Sequence, residues 1–303
     1  MPRRVDGWSV CAVMVFVLVA ACRSSSDPPG EPSPARSSTP DEDYPAARKR
    51  FRTHLVKHQP PPGTAKPLRA PADAREVPFE SGGLQLTAWM SRETAEATAS
   101  QRPAVLYLHG GFGFDLSDWA ATEPFRAAGF AVMAPILRGE NGQPGAFSAF
   151  YDEVDDVLAA ADALARQPGV DAAHLYVVGH SVGGTLTMLA ALASTRFRAA
   201  ASFSGAPDQR VWISGQPELA PYDLSNADEL RIRSPLAFAT SFKCPIRLYW
   251  GDREPFFTKA TRETARRAKA AGLDVDAIQV EGDHGTMFGP ASERAIAFFQ
   301  QHR

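Results

Sequence analysis

The sequence predicts an α/β protein: an open, mostly parallel central sheet flanked by helices, with an antiparallel start and a small cap insertion. Three observations carry this. From residue 76 onward, short continuous apolar runs recur, as strands buried on both faces require. Segments with apolar residues three and four apart lie between those runs. Ser81-Gly82-Gly83 separates two further strand-like segments, a hairpin signal.

The hairpin strands are "REVPFE" and "LQLTAWM". "AVLYL" (104–108), "FAVMAP" (130–135), "LYVVG" (175–179), "AAASF" (199–203) and "IRLYW" (246–250) read as buried parallel strands, with "VDAIQVEG" as the last. Helices are expected over 117–128, 150–167, 182–193, 259–271 and 290–300. In the second, Val154, Val157, Leu158, Ala161 and Leu164 keep to one face. Residues 205–242 are left as a candidate cap between two strands. Ligands of such sheets bind at the carboxyl ends of the strands.

Composition excludes little. The 303 residues are 44% apolar and 22% charged, ordinary for a globular protein. A formal net charge of −2 gives no reason to expect nucleic acid as a partner. Three cysteines are too few for a disulfide framework; Cys244, before Pro245, reads as a small buried hydrophobe rather than a nucleophile.

The N-terminus reads as an address. Arg3 and Arg4 precede the apolar "VCAVMVFVLVAA", which is short for a membrane span and ends in Val19-Ala20-Ala21-Cys22. The segment resembles a bacterial lipoprotein signal with its lipobox. The resemblance implies removal of residues 1–21, acylation of Cys22 and anchorage to a membrane; an ordinary secretory signal is the alternative. Arg23 in place of an acidic residue favours the outer membrane or cell surface. Residues 22–75 read as a Pro/Ser-rich linker, with "RKRFRTHLVKH" (48–58) as a short basic helix. The α/β domain is expected over 76–303.

The chemistry centres on "GHSVGG" (179–184). G-x-S-x-G is weak alone. Here it follows an apolar strand and opens a helix, as a nucleophile elbow requires, so Ser181 is the candidate nucleophile. A serine needs a base, and the expected chain order is serine, acid, histidine. His284, in the glycine-rich "VEGDHGTMFG" between the last strand and last helix, is that base. The acid belongs in "GDREPFF", where Asp252 and Glu254 compete. "HGGFG" (109–113) ends a strand with bare backbone, so the oxyanion donors are assigned to the N–H groups of Gly111 and Val182.

These parts in this order resemble the α/β-hydrolase superfamily from about residue 76 to the end. "HGGFG", "GFAVMAPILRGENGQPG", "DEVDDVLAAADAL" and "GHSVGG" look closest to the prolyl oligopeptidase catalytic domain and to dienelactone-hydrolase-like proteins. The resemblance implies an acyl-enzyme mechanism without metal or cofactor, and places Glu254 rather than Asp252 at the triad position, although aspartate is the usual acid. It implies turn-supporting roles for His109 and His180. Larger family members carry a β-propeller that limits them to short peptides. Fewer than 80 residues precede the domain here, so no propeller is expected and ester substrates suit the site at least as well. Three functions follow: an extracytoplasmic ester hydrolase, a serine peptidase on short peptides, or a non-catalytic binding lipoprotein on a hydrolase fold. Trp212, Phe112, Phe257 and other aromatics predict an apolar pocket. Arg138 is the one candidate for a charged substrate group, though "LRG" reads as a loop tie.

Overall fold

The computed structural model describes residues 42–63, 66–92 and 101–303. β1 (Ala74–Ser81) and β2 (Leu84–Ser91) form the expected hairpin. Gly82 and Gly83 make its turn at φ +57° and +82°, values that cost glycine nothing. β3 (Arg102–Leu108), β4 (Ala131–Pro135), β5 (Val170–His180), β6 (Ala199–Phe203), β7 (Ile246–Gly251) and β8 (Val275–Val280) complete one sheet. The strand order is β1-β2-β4-β3-β5-β6-β7-β8, with β1 and β2 antiparallel to their neighbours and every later pair parallel. β4 lies on one side of β3 and β5 on the other, so the chain reverses its direction of growth beside β3. A crevice opens at such a point, outside the strands' carboxyl ends.

Helices cover both faces. α4 (Asp152–Ala165) and α5 (Val182–Ala193) share one core with Leu106, Leu108 and Val177 of the sheet, and α8 (Pro255–Ala270) packs over β7 and β8 beside them. α3 (Glu123–Ala127) and α9 (Phe288–Gln301) share the other core with Val105, Tyr107 and Val178. Alternate residues of β3 thus enter opposite cores, which is why a strand buried on both faces reads as an unbroken apolar run.

Three expectations change. The single helix over 117–128 is two, α2 (Leu116–Ala120) and α3, because Pro124 has no N–H to donate and instead starts a new helix. α8 begins at Pro255, four residues early, again with proline in its first turn. The basic helix over 48–58 is absent. The helix there, α1, is Tyr44–Arg50, and the chain beyond it is extended. Tyr44 is fully buried, with its ring edge-on to Phe238 at 5.0 Å, so burial locks the earlier residues into the helix. Beyond Arg50, Leu55 bridges Tyr222, and the N–H groups of Val56 and Lys57 donate to the Pro221 oxygen at 2.7 and 3.1 Å. Packing therefore begins by residue 44, not 76. Cys22, the signal segment and the linker up to residue 41 lie outside the described residues.

Candidate active site

β5 delivers Ser181 directly into α5. Ser181 sits at φ +55°, ψ −115°, a conformation that non-glycine residues rarely hold. Two close approaches enforce the turn. A Cβ on Gly179 would lie 2.4 Å from the Gly183 oxygen, and one on Gly183 would lie 2.1 Å from the Leu108 oxygen. β3, β5 and α5 therefore meet through bare backbone. The loop after β3 abuts the same point, since a Cβ on Gly110 would lie 3.6 Å from Ser181 Cβ. Gly111 follows, exposed, at φ +68°. The Ser181 N–H is committed to the Phe203 oxygen at 2.8 Å. Val182 opens the first turn of α5, where N–H groups have no partner within the helix.

The two carboxylates of the loop after β7 part company. Glu254 is buried, and its Oε1 accepts from His284 Nδ1 at 2.6 Å. Its Oε2 accepts from the Ser204 hydroxyl at 2.6 Å and the Gly251 N–H at 2.7 Å. Burial alone would raise its pKa, but these three hydrogen bonds hold it below the usual carboxylate value. Asp252 is exposed and accepts the Gly282 N–H at 3.0 Å, tying the ends of β7 and β8 together. A carboxylate can only accept, so His284 Nδ1 carries the proton and Nε2 is free to act as a base.

The His284 ring stacks on Phe257 at 5.6 Å and 13°, and lies 4.7 Å from the ring of His180. Among the described residues, neither the Ser181 hydroxyl nor His284 Nε2 makes a hydrogen bond. Catalytic contacts of this kind commonly tighten only when substrate arrives.

Two supports were not legible as catalytic machinery. Ser204, at φ +46°, lies just past β6, and no motif marks it. His109, expected only to support a turn, is buried. Its Nε2 faces the Glu140 carboxylate at 2.9 Å and its Nδ1 faces the Gly110 oxygen at 3.0 Å. Both partners accept, which calls for an imidazolium. Burial pushes the His109 pKa down, but Glu140 outweighs it and raises it to about 10. The ion pair pins the Gly110–Gly111 loop from beneath. The signal was present in "LRGENG", which supplies a second buried contact: Asn141 accepts the Phe114 N–H at 2.9 Å.

Several aromatics of the cap and the catalytic loops are core residues rather than pocket lining. Phe114, Trp119, Tyr222, Phe238 and Phe242 are buried in the cores. Phe112 and Trp212 are partly exposed and touch at 6.2 Å, so α6 (Gln209–Ser214) of the 205–242 insertion reaches the loop after β3. Arg138 is committed to buried Asp156 through two contacts of 2.8 and 2.6 Å, and serves as a loop tie. Burial raises the Cys244 thiol to about 12, which leaves it inert.

Fold and site together fall in the class of serine hydrolases with an α/β-hydrolase scaffold. Residues 117–249 match the prolyl oligopeptidase family, peptidase S9; the matched segment includes Ser181 and ends before Glu254 and His284. Two uncharacterized peptidases of Bacillus subtilis, YuxL and YtmA, are each 26% identical over 190 and 197 residues. These alignments span 57% and 58% of this chain, but 29% and 71% of the relatives. Among solved structures, a Mycobacterium tuberculosis puromycin-hydrolyzing peptidase superposes with a TM-score of 0.65 at 22% identity, over 76% of this chain and 39% of its own. A Pyrococcus furiosus esterase does so with a TM-score of 0.65 at 16% identity, over 81% of this chain and 98% of its own. At such identities the likeness speaks for the fold.

Proposed function

We propose that the protein is a lipid-anchored serine hydrolase of the cell envelope that cleaves ester bonds of small substrates. The observation that carries the reading is the contact of buried Glu254 with His284 at 2.6 Å, in a protein whose Ser181 is held on a strained strand-to-helix turn. Ser181 Oγ attacks the substrate carbonyl while His284 Nε2 takes its proton. The oxygen of the tetrahedral intermediate gathers negative charge and is met by the N–H groups of Gly111 and Val182, each worth about 3–4 kcal/mol. The imidazolium then protonates the leaving alkoxide, leaving an acyl-enzyme. Water, deprotonated by His284, releases the acid and restores Ser181. Glu254 stays ionised throughout and stabilises the imidazolium.

Esters are placed first because an alkoxide leaves more readily than an amine, so this Ser–His–Glu arrangement can cleave them without further help to the leaving group. The family match keeps short peptides as the second reading. Purified residues 42–303 should label at Ser181 with a fluorophosphonate and turn over p-nitrophenyl esters, and Ser181→Ala should lose about 10⁴- to 10⁶-fold in turnover. Failure to label would favour a binding lipoprotein on a hydrolase fold. Faster cleavage of aminoacyl amides than of matched esters would favour the peptidase. The anchor is tested separately: Cys22→Ser should abolish incorporation of a palmitate analogue, and unchanged incorporation would refute it.

A further inference from the structure

G-x-S-x-G leaves the residue before the serine free, and here it is His180. Its main chain is fixed, because β5 pairs with β6 through His180 opposite Phe203. Its side chain leaves the sheet edge and crosses to another loop, where Nε2 lies 2.7 Å from the main-chain oxygen of His284. A carbonyl oxygen only accepts, so the His180 proton sits on Nε2. The ring is held on both sides, edge-on to Phe288 at 5.8 Å and with Nδ1 3.3 Å from where a Cβ on Gly110 would stand. One side chain therefore touches the nucleophile's turn, the loop of the oxyanion donors and the loop of the base.

The base loop needs such a tie. His284 is exposed, with nearly half its side chain in solvent at 46%. The hydrogen bonds of Asp283 run back within the loop, to the N–H groups of Gly285 and Thr286 at 3.2 and 2.9 Å. The contacts that leave the loop run mainly to one side, toward Glu254 and the Arg253 N–H. His180 supplies the hold from the side of Ser181.

We infer that His180 is a positioning residue: its Nε2–H, donated to the main chain of His284, sets where the base stands relative to Ser181. The inference rests on the hydrolase reading above. Burial and the neighbouring His284 ring push the His180 pKa down to about 4, so at neutral pH the ring is uncharged and the donor stays in place. A misplacement of about 1 Å between reacting groups costs on the order of 100-fold in rate, which is the scale such a tie can govern.

Two variants of similar length separate the hydrogen bond from the bulk. In His180→Gln the amide nitrogen can occupy roughly the Nε2 position and donate; in His180→Met nothing donates. With p-nitrophenyl acetate, His180→Met should lower kcat by about 10- to 100-fold with KM within about threefold, while His180→Gln recovers to within about fivefold of the parent. Equal kcat in the two variants, or a Met variant within twofold of the parent, would overturn the inference. The unsubstituted protein offers an independent reading, because a ¹⁵N-imidazole spectrum should place the His180 proton on Nε2. A proton on Nδ1 overturns the inference even if a variant does not fold. Absence of Ser181 labelling in the parent would instead refute the hydrolase reading itself.

Discussion

The two halves of the candidate catalytic line are built by different means. The Ser181 half is steric: three elements approach so closely that only glycine fits at 179 and 183, and the turn follows from exclusion of side chains. The Glu254–His284 half is electrostatic: a buried carboxylate, fixed by two further donors, and a stacked ring hold an otherwise exposed histidine. Steric fit is written into consecutive residues. Electrostatic fit is assembled from loops far apart in the chain. Damage to the glycines of the first half should therefore cost the fold, and damage to the second should cost the rate.

The harshest test is Gly183→Ala. The added Cβ would stand 2.1 Å from the Leu108 oxygen and 2.5 Å from the His109 oxygen, both main-chain atoms inside the sheet edge. Destabilisation of more than about 3 kcal/mol is expected, seen as lost soluble protein or a collapsed melting temperature. A normally stable Gly183→Ala protein would mean the elbow is looser than its geometry.

Glu254→Gln acts on the other half. The amide keeps the size but loses the charge that supports the imidazolium. Turnover should fall by about 10³- to 10⁴-fold while the melting temperature stays within a few degrees. Asp252→Asn should cost less than about tenfold in rate, and about 1 kcal/mol in stability through the weakened Gly282 contact. The reverse ordering in steady-state kinetics would make Asp252 the acid.

The smallest effect concerns the buried His109–Glu140 pair, which lends electrostatic support to the steric half. In the folded protein His109 holds its proton up to about 10, against an ordinary value of 6.5. Its contribution to stability is complete below about pH 6.5 and is lost progressively as pH rises through about 10. Denaturant unfolding at pH 6.5 and pH 9.5 should show a drop in stability, and Glu140→Gln should shrink that drop. An equal drop in both proteins would mean the pair is not ionised as its geometry requires.

Much of the scaffold was legible beforehand because each parallel strand is a short apolar run and each helix keeps its own period. The context of Ser181 was legible for the same reason: strand, turn and helix are contiguous between Leu175 and Ala193. The split at Pro124 could have been read from proline alone. The segment from Tyr44 to Gln59 could not. Its basic residues suggest a solvated helix, yet Tyr44 is drawn into the core beside Phe238, and the Thr53 hydroxyl and His54 N–H find Glu229 at 2.8 and 2.7 Å.

By itself the sequence determined the order of strands and helices and the turn on which Ser181 stands, because these depend on neighbours within a few residues. It narrowed the acid to Asp252 or Glu254, and only the family resemblance put Glu254 first. Tertiary structure decided that Glu254 faces His284 while Asp252 turns toward Gly282, that Ser204 completes the carboxylate's shell, and that His109 meets Glu140 beneath the glycine loop. Each of these contacts joins residues 30 or more positions apart. Which of two nearby carboxylates is buried depends on how neighbouring strand ends converge, and no local pattern of residues encodes that convergence.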